Sequence, residues 1–138
     1  MPGLTLADAR AALDAGLAEA DAIGQPMNVA VVDDGGHLLA FARQDGAIRA
    51  SIDIAQRKAR TSILMEAPTA ALMPLVQPGA ELYGLEQTAG GMVIFGGGVP
   101  VYRDGVLVGA VGVSAGSVEQ DVRVAEAAVA ALTSAVPA

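Results

Sequence analysis

The chain has no cysteine, no tryptophan and one histidine, and only two phenylalanines and two tyrosines. Without cysteine, disulfides, thiolate metal sites and cysteine nucleophiles are excluded, and the composition fits a cytoplasmic setting. With His37 as its one histidine, a zinc site would need carboxylates or amides for every other ligand. No HExxH-type spacing exists, so no metal site is expected. Positive charge is also scarce: 8 Lys and Arg against 15 Asp and Glu give a net charge of −7. That balance, with no basic-aromatic interleaving, argues against nucleic acid as a partner. No apolar run approaches the ~20 residues of a membrane-spanning helix. The opening MPGLTLADAR lacks the charged and apolar regions of a signal peptide.

What is abundant is small. The 138 residues suit a single domain, 1–138, whose many alanines and 17 glycines pack by close backbone approach. Positive mean hydropathy leads to the expectation of a homo-oligomer that buries apolar surface, although an alanine-rich composition accounts for the same value. The organising stretch is Gly90–Gly116, GGMVIFGGGVPVYRDGVLVGAVGVSAG, with three β-branched runs at Met92–Phe95, Val99–Arg103 and Val106–Val113. Asp104-Gly105 between the last two predicts a tight hairpin. Val106–Val113 is apolar on both alternating faces, as in a strand covered on both sides by helices or by another subunit.

Around this stretch the other elements fall in order. Thr5 and Asp8 form a capping-box-like start to a helix with apolar positions at Leu6, Ala9, Leu13, Leu17 and Ala20, ended by Gly24 and Pro26. Met27–Val32 and His37–Phe41 read as strands joined by Asp33-Asp34-Gly35-Gly36. A second helix is predicted from Ile48 to Leu64, and a proline-punctuated segment with short helical turns follows to Leu85. Ser117 and Gln120 form a second capping box, opening a last helix along Val118, Val122, Ala125, Val129 and Leu132. The order α-β-β-α-(short α)-β-β-β-α implies an α+β fold, a profilin-like antiparallel sheet flanked by helices.

Few residues carry chemistry. His37 is a possible general base or haem ligand, and equally a hairpin residue bonded to its own turn. Gly112-Val113-Ser114-Ala115-Gly116 matches G-x-S-x-G, but the short chain, the antiparallel sheet and the lack of a later histidine argue against a nucleophile elbow. The Ser114–Ser117 junction precedes a helix start, whose free amides could hold a carboxylate or instead be satisfied by Ser117 and Gln120. Gly96-Gly97-Gly98 lacks the dinucleotide-binding pattern and permits close approach of backbone, ligand or neighbour. Arg43, Lys58 and Arg60 are the cations nearest these elements, either completing an anion site or lying on a solvated helix face.

DDGGHLLAFARQDGA, IAQRKARTS and GGGVPVYRDGVLVGAVGVSAGSVEQD together resemble the GlcG/HbpS-like family, also called the haem-degrading domain, over nearly the whole chain. The resemblance implies a five-stranded antiparallel sheet flanked by helices and assembly as homo-oligomers. Some members bind or respond to haem, one branch is fused to corrinoid adenosyltransferases, and others sit in glycolate-utilisation loci. Shared signature positions are Asp33, Gly35, Gly36, His37, Lys58, Gly98, Pro100, Gly105, Gly109, Gly112, Val113, Ser114 and Asp121. The chain departs from the pattern at Ala115, where many members have glycine.

Three functional readings follow: a binder of a small anionic ligand, with haem or another tetrapyrrole first; an enzyme acting on a small carboxylate or carbonyl compound; or a structural partner without ligand. In the enzyme reading His37 or Lys58 moves a proton, Arg43 holds a carboxylate and the Ser114–Gly116 amides stabilise an oxyanion. The expected pocket joins Asp33, His37, Arg43 and Lys58 to Gly96, Gly97, Gly98, Ser114 and Gly116. Haem is a possible cofactor.

Overall fold

A computed structural model describes residues 3–133. Helix α1 (Leu6–Ile23) leads into β1 (Asn28–Asp33) and β2 (Leu38–Arg43); α2 (Ala50–Met65) is followed by short 3-10 turns at Thr69–Leu75 and Leu85–Gln87. Strands β3 (Gly98–Arg103) and β4 (Val106–Ser114) and helix α3 (Val118–Thr133) complete the fold. The strands form one antiparallel sheet in the order β2-β1-β4-β3. Helix α2 covers one face, against β4, β1 and β3, while α1 and α3 cover the other. Among the described residues no helix is long and apolar enough to cross a membrane.

Both expected caps form. The Thr5 hydroxyl accepts from the Asp8 amide at 3.1 Å while the Asp8 carboxylate accepts from the Thr5 amide at 2.9 Å. Ser117 and Gln120 repeat the exchange at 3.2 and 2.9 Å. The Asp104-Gly105 turn has φ of 51° and 77°, the positive pair that a tight hairpin demands.

The sheet has four strands, not five. Met92–Phe95 runs outside it because its amides are engaged elsewhere: Met92 N–H donates to the Glu86 carbonyl at 2.9 Å and Val93 N–H to the Thr61 hydroxyl at 3.1 Å. The strand apolar on both faces, β4, is central as expected. Its second face meets α2 of the same chain rather than another subunit, so it gives no support to oligomerisation. Val111 and Val113 join the α1–α3 core, and Ala110 packs with Ala59, Ile63 and Val32 beneath α2. Gly112 permits that approach: a Cβ there would collide with the Ala55 carbonyl and lie 2.6 Å from the Ala59 amide.

Candidate functional site

The register divides the expected site residues between two ends of the sheet. Asn28 pairs with Arg43 on one side and Ser114 on the other, whereas Asp33, opposite Gly109, ends β1 beside the first turn. Five residues of extended strand, about 17 Å, separate the two ends. The expected single pocket therefore does not form. Lys58, Ser114, Gly116 and Gly96–Gly98 gather at one end, Asp33 and His37 sit at the other, and Arg43 lies on the far side of β2 from α2.

The Lys58 end is filled by the chain itself. Lys58 is fully buried, and its Nζ donates to the Val113 carbonyl at 2.8 Å and to Asp121 Oδ2 at 2.9 Å. The Phe95 ring lies 5.1 Å from that nitrogen. Asp121, 4% exposed, also accepts from the Gly116 amide at 2.9 Å through Oδ1 and bonds the Ala115 amide. The junction amides do hold an anion, and it is the Asp121 carboxylate. Burial pulls Lys58 below the usual lysine range and pushes Asp121 above the usual carboxylate range, each opposed by its partner's charge.

The neighbouring residues serve the same packing. The Ser114 hydroxyl bonds Ser51 at 2.9 Å, buried. Gly98 N–H donates to the Thr69 hydroxyl at 2.9 Å, and a Cβ on Gly97, at φ 128°, would stand 2.6 Å from Lys58 Nζ. Neither an oxyanion cradle at Ser114–Gly116 nor a proton-transferring Lys58 is accessible to a substrate here.

The opposite end is open. Its groove, about 330 Å³, lies between α2 and the β1–β2 hairpin and is lined by Val32, Gly36, Leu38, Asp53, Gln56, Arg57, Arg60 and Gly90. Asp53, Arg57 and Arg60 share one side of α2 because they recur at helical spacing. Arg57 donates to Asp53 at 2.7 Å and to the Gly90 carbonyl at 3.0 Å. His37 lies in the chain between Gly36 and Leu38 without itself lining the groove, and its side chain is 84% exposed.

Its turn is tied by hydrogen bonds: Asp33 Oδ1 accepts from the Gly35 and His37 amides, each at 2.9 Å, and lies 3.4 Å from His37 Nδ1. Slight burial would raise the Asp33 carboxyl, but those amides and the ring hold it below its ordinary value. With Nδ1 facing a carboxylate, Nε2 is the nitrogen left for an incoming group.

A larger cleft, about 580 Å³, lies at the C-terminal end of α1 and contains Arg43 with Asp21, Asp45, Gln25 and Gln44. Two carboxylates against one cation, with Gln44 already bonded to Asp21 at 3.0 Å, make it the poorer site for an anion despite its size. The sequence reading named Arg60 but missed Arg57, Gln56 and Leu38 as groove residues. The signal for Arg57 was available: it lies one helical turn from both Asp53 and Arg60.

With this geometry in view, the comparisons are specific. The family described as "Haem degrading protein HbpS-like" matches residues 4–130. An uncharacterised 15.0 kDa protein of Citrobacter freundii is 46% identical over 91% of this chain and 89% of its own. The corrinoid adenosyltransferase PduO of the same organism is 41% identical over 86% of this chain, which spans only 36% of that protein. Among solved structures, a PduOC–haem complex superposes with a TM-score of 0.91 at 39% identity, covering 95% of this chain and 96% of the other. Klebsiella pneumoniae ORFY gives 0.93 at 39% identity, covering 97% and 92%. Fold, length and sequence agree over nearly the whole chain, which belongs to the HbpS-like haem-degrading protein family.

Proposed function

We propose that this protein binds haem or a closely related tetrapyrrole in the groove between α2 and the β1–β2 hairpin. The observation that carries the reading is His37: an exposed imidazole, adjacent in the chain to the groove residues Gly36 and Leu38, whose Nδ1 faces Asp33. The donor set fits the group. His37 would be the donor to iron, the exposed Leu38 offers apolar contact to a flat ring, and Arg60, the guanidinium outside any ion pair among the described residues, suits an acidic substituent. A groove of about 330 Å³ lies at the small end of ligand sites and holds part of a macrocycle, leaving the remainder exposed. Support also comes from the haem complex of a family relative. An axially ligated haem would supply redox chemistry or ligand sensing; the chain's own part is to hold and orient it.

Haem titration of the full chain is expected to give a saturable Soret shift, and His37→Ala to change the bound spectrum. An unchanged spectrum in the variant removes His37 as ligand, and no saturable shift in the wild type removes the reading. A homo-oligomer belongs to the same proposal, supported by the exposed Leu38, Ile48 and Tyr83. Light scattering at micromolar concentration should give at least twice the chain mass; a monomer ends that part.

A further inference from the structure

The two arginines of the groove differ in what holds them. Arg57 is committed: its Nε meets Asp53 at 2.7 Å, and its Nη1 reaches the Gly90 and Gly91 carbonyls at 3.0 and 3.4 Å. It joins α2 to the loop that forms the far wall. No ion pair among the described residues engages Arg60. Its position is nevertheless restricted. A Cβ on Gly36 would lie 3.6 Å from Arg60 Cγ, and one on Gly90 would lie 4.0 Å from its Nη2. The stem therefore runs along the hairpin turn, and the guanidinium sits between turn and loop at the groove.

Asp53 is the groove's one carboxylate, and Arg57 neutralises it. What remains is the charge of Arg60, a local positive site on a chain of net charge −7. A planar fork of donors, sterically placed but without an acceptor, is suited to a carboxylate in two-point contact.

We propose that Arg60 is the residue by which this groove reads its ligand, selecting tetrapyrroles that carry a free carboxylate, while Arg57 is a positioning residue that fixes the wall. The inference rests on the tetrapyrrole reading of the groove but not on iron. It assigns recognition to the edge of the macrocycle, so a metal-free porphyrin is recognised as well as haem.

The experiment uses metal-free protoporphyrin IX and its dimethyl ester, in which two methyl caps remove the charge of the two acidic groups. Fluorescence titrations are made on the full-length wild type and on Arg60→Ala, Arg60→Lys and Arg43→Ala. The wild type is expected to prefer the diacid by about ten- to hundredfold, the range of a charge-assisted contact. Arg60→Ala should erase that preference by weakening the diacid while leaving the ester unchanged. Arg60→Lys should restore part of it, since charge returns without the fork. Arg43→Ala should keep it, because that cation lies in the other cleft. Equal binding of diacid and ester by the wild type, a preference that survives in Arg60→Ala, or binding of neither porphyrin overturns the proposal. A preserved diacid preference alongside a haem spectrum indifferent to His37→Ala overturns only the axial-ligand reading.

Discussion

The two ends of the sheet hold the same kinds of groups and use them in opposite ways. At the Ser114 end, a lysine, a carboxylate and the amides before α3 close on one another, buried and hydrogen-bonded. At the His37 end, a hydrogen-bonded turn carries an exposed imidazole, and the open groove next to it is lined by Arg60, which no ion pair among the described residues engages. A buried ion pair costs desolvation on both partners and is tolerated only when every donor and acceptor is met. At the first end both charges are buried and hydrogen-bonded, and the pair is a clamp joining α2, β4 and α3. Strong local polarity in a sequence therefore indicates a site only where the fold leaves it unpaired.

The largest effect should come from breaking the clamp. Lys58→Met leaves Asp121 buried without its cation and should lower unfolding free energy by about 3–5 kcal/mol, read by denaturant titration. Asp121→Asn keeps an acceptor for the Gly116 amide but places an amide against Lys58, so it should also destabilise. A loss under about 1 kcal/mol in both would mean the pair is not the clamp described here.

A smaller and opposite effect is expected two residues from β4's last paired valine. Ala115 has φ 143°, a conformation that glycine adopts readily and alanine only with strain. Ala115→Gly should stabilise the fold by about 1 kcal/mol, seen as a higher Tm. A lower Tm would show that the methyl's packing outweighs the backbone.

A partly exposed pair supplies the contrast to the buried one. The Asp8 carboxyl is held down from 3.8 to about 2, first by its hydrogen bonds to Arg103, then by the Thr5 amide, with slight burial opposing. Its folded value lies below the unfolded one, so its contribution is present above about pH 4 and fades as pH falls towards 2. Partly exposed, it should be worth at most about 1 kcal/mol. Arg103→Gln should flatten the decline in Tm across that window; an unchanged decline assigns the acid sensitivity elsewhere. Smallest of all, Arg60→Ala should leave stability within about 0.5 kcal/mol, because no protein partner is lost.

The elements were legible because their signals are local. Thr5 with Asp8, Ser117 with Gln120, and Asp104-Gly105 each act within a few residues. Met92–Phe95 misled because a β-branched run before glycine reads as a strand, and only the fold reveals that Thr61, some thirty residues earlier, takes the Val93 amide. The Lys58–Asp121 pair spans 63 residues of sequence and has no local mark. The expected pocket failed for a related reason: grouping His37 with Lys58 required a register that no pattern of residue types supplies. His37, in a turn whose hydrogen bonds are all local, was placed correctly in its own hairpin.

The most direct test of the contrast between the two ends is where a porphyrin perturbs the backbone. Two-dimensional amide NMR of the full chain titrated with metal-free protoporphyrin IX would report every residue at once. The amides of Gly35, Gly36, Leu38 and Gly90 should shift with a saturable dependence on porphyrin, while those of Ala115 and Gly116, bonded to Asp121, stay in place. Shifts centred on Ser114–Gly116 with the Gly36 and Gly90 amides unmoved would contradict this account.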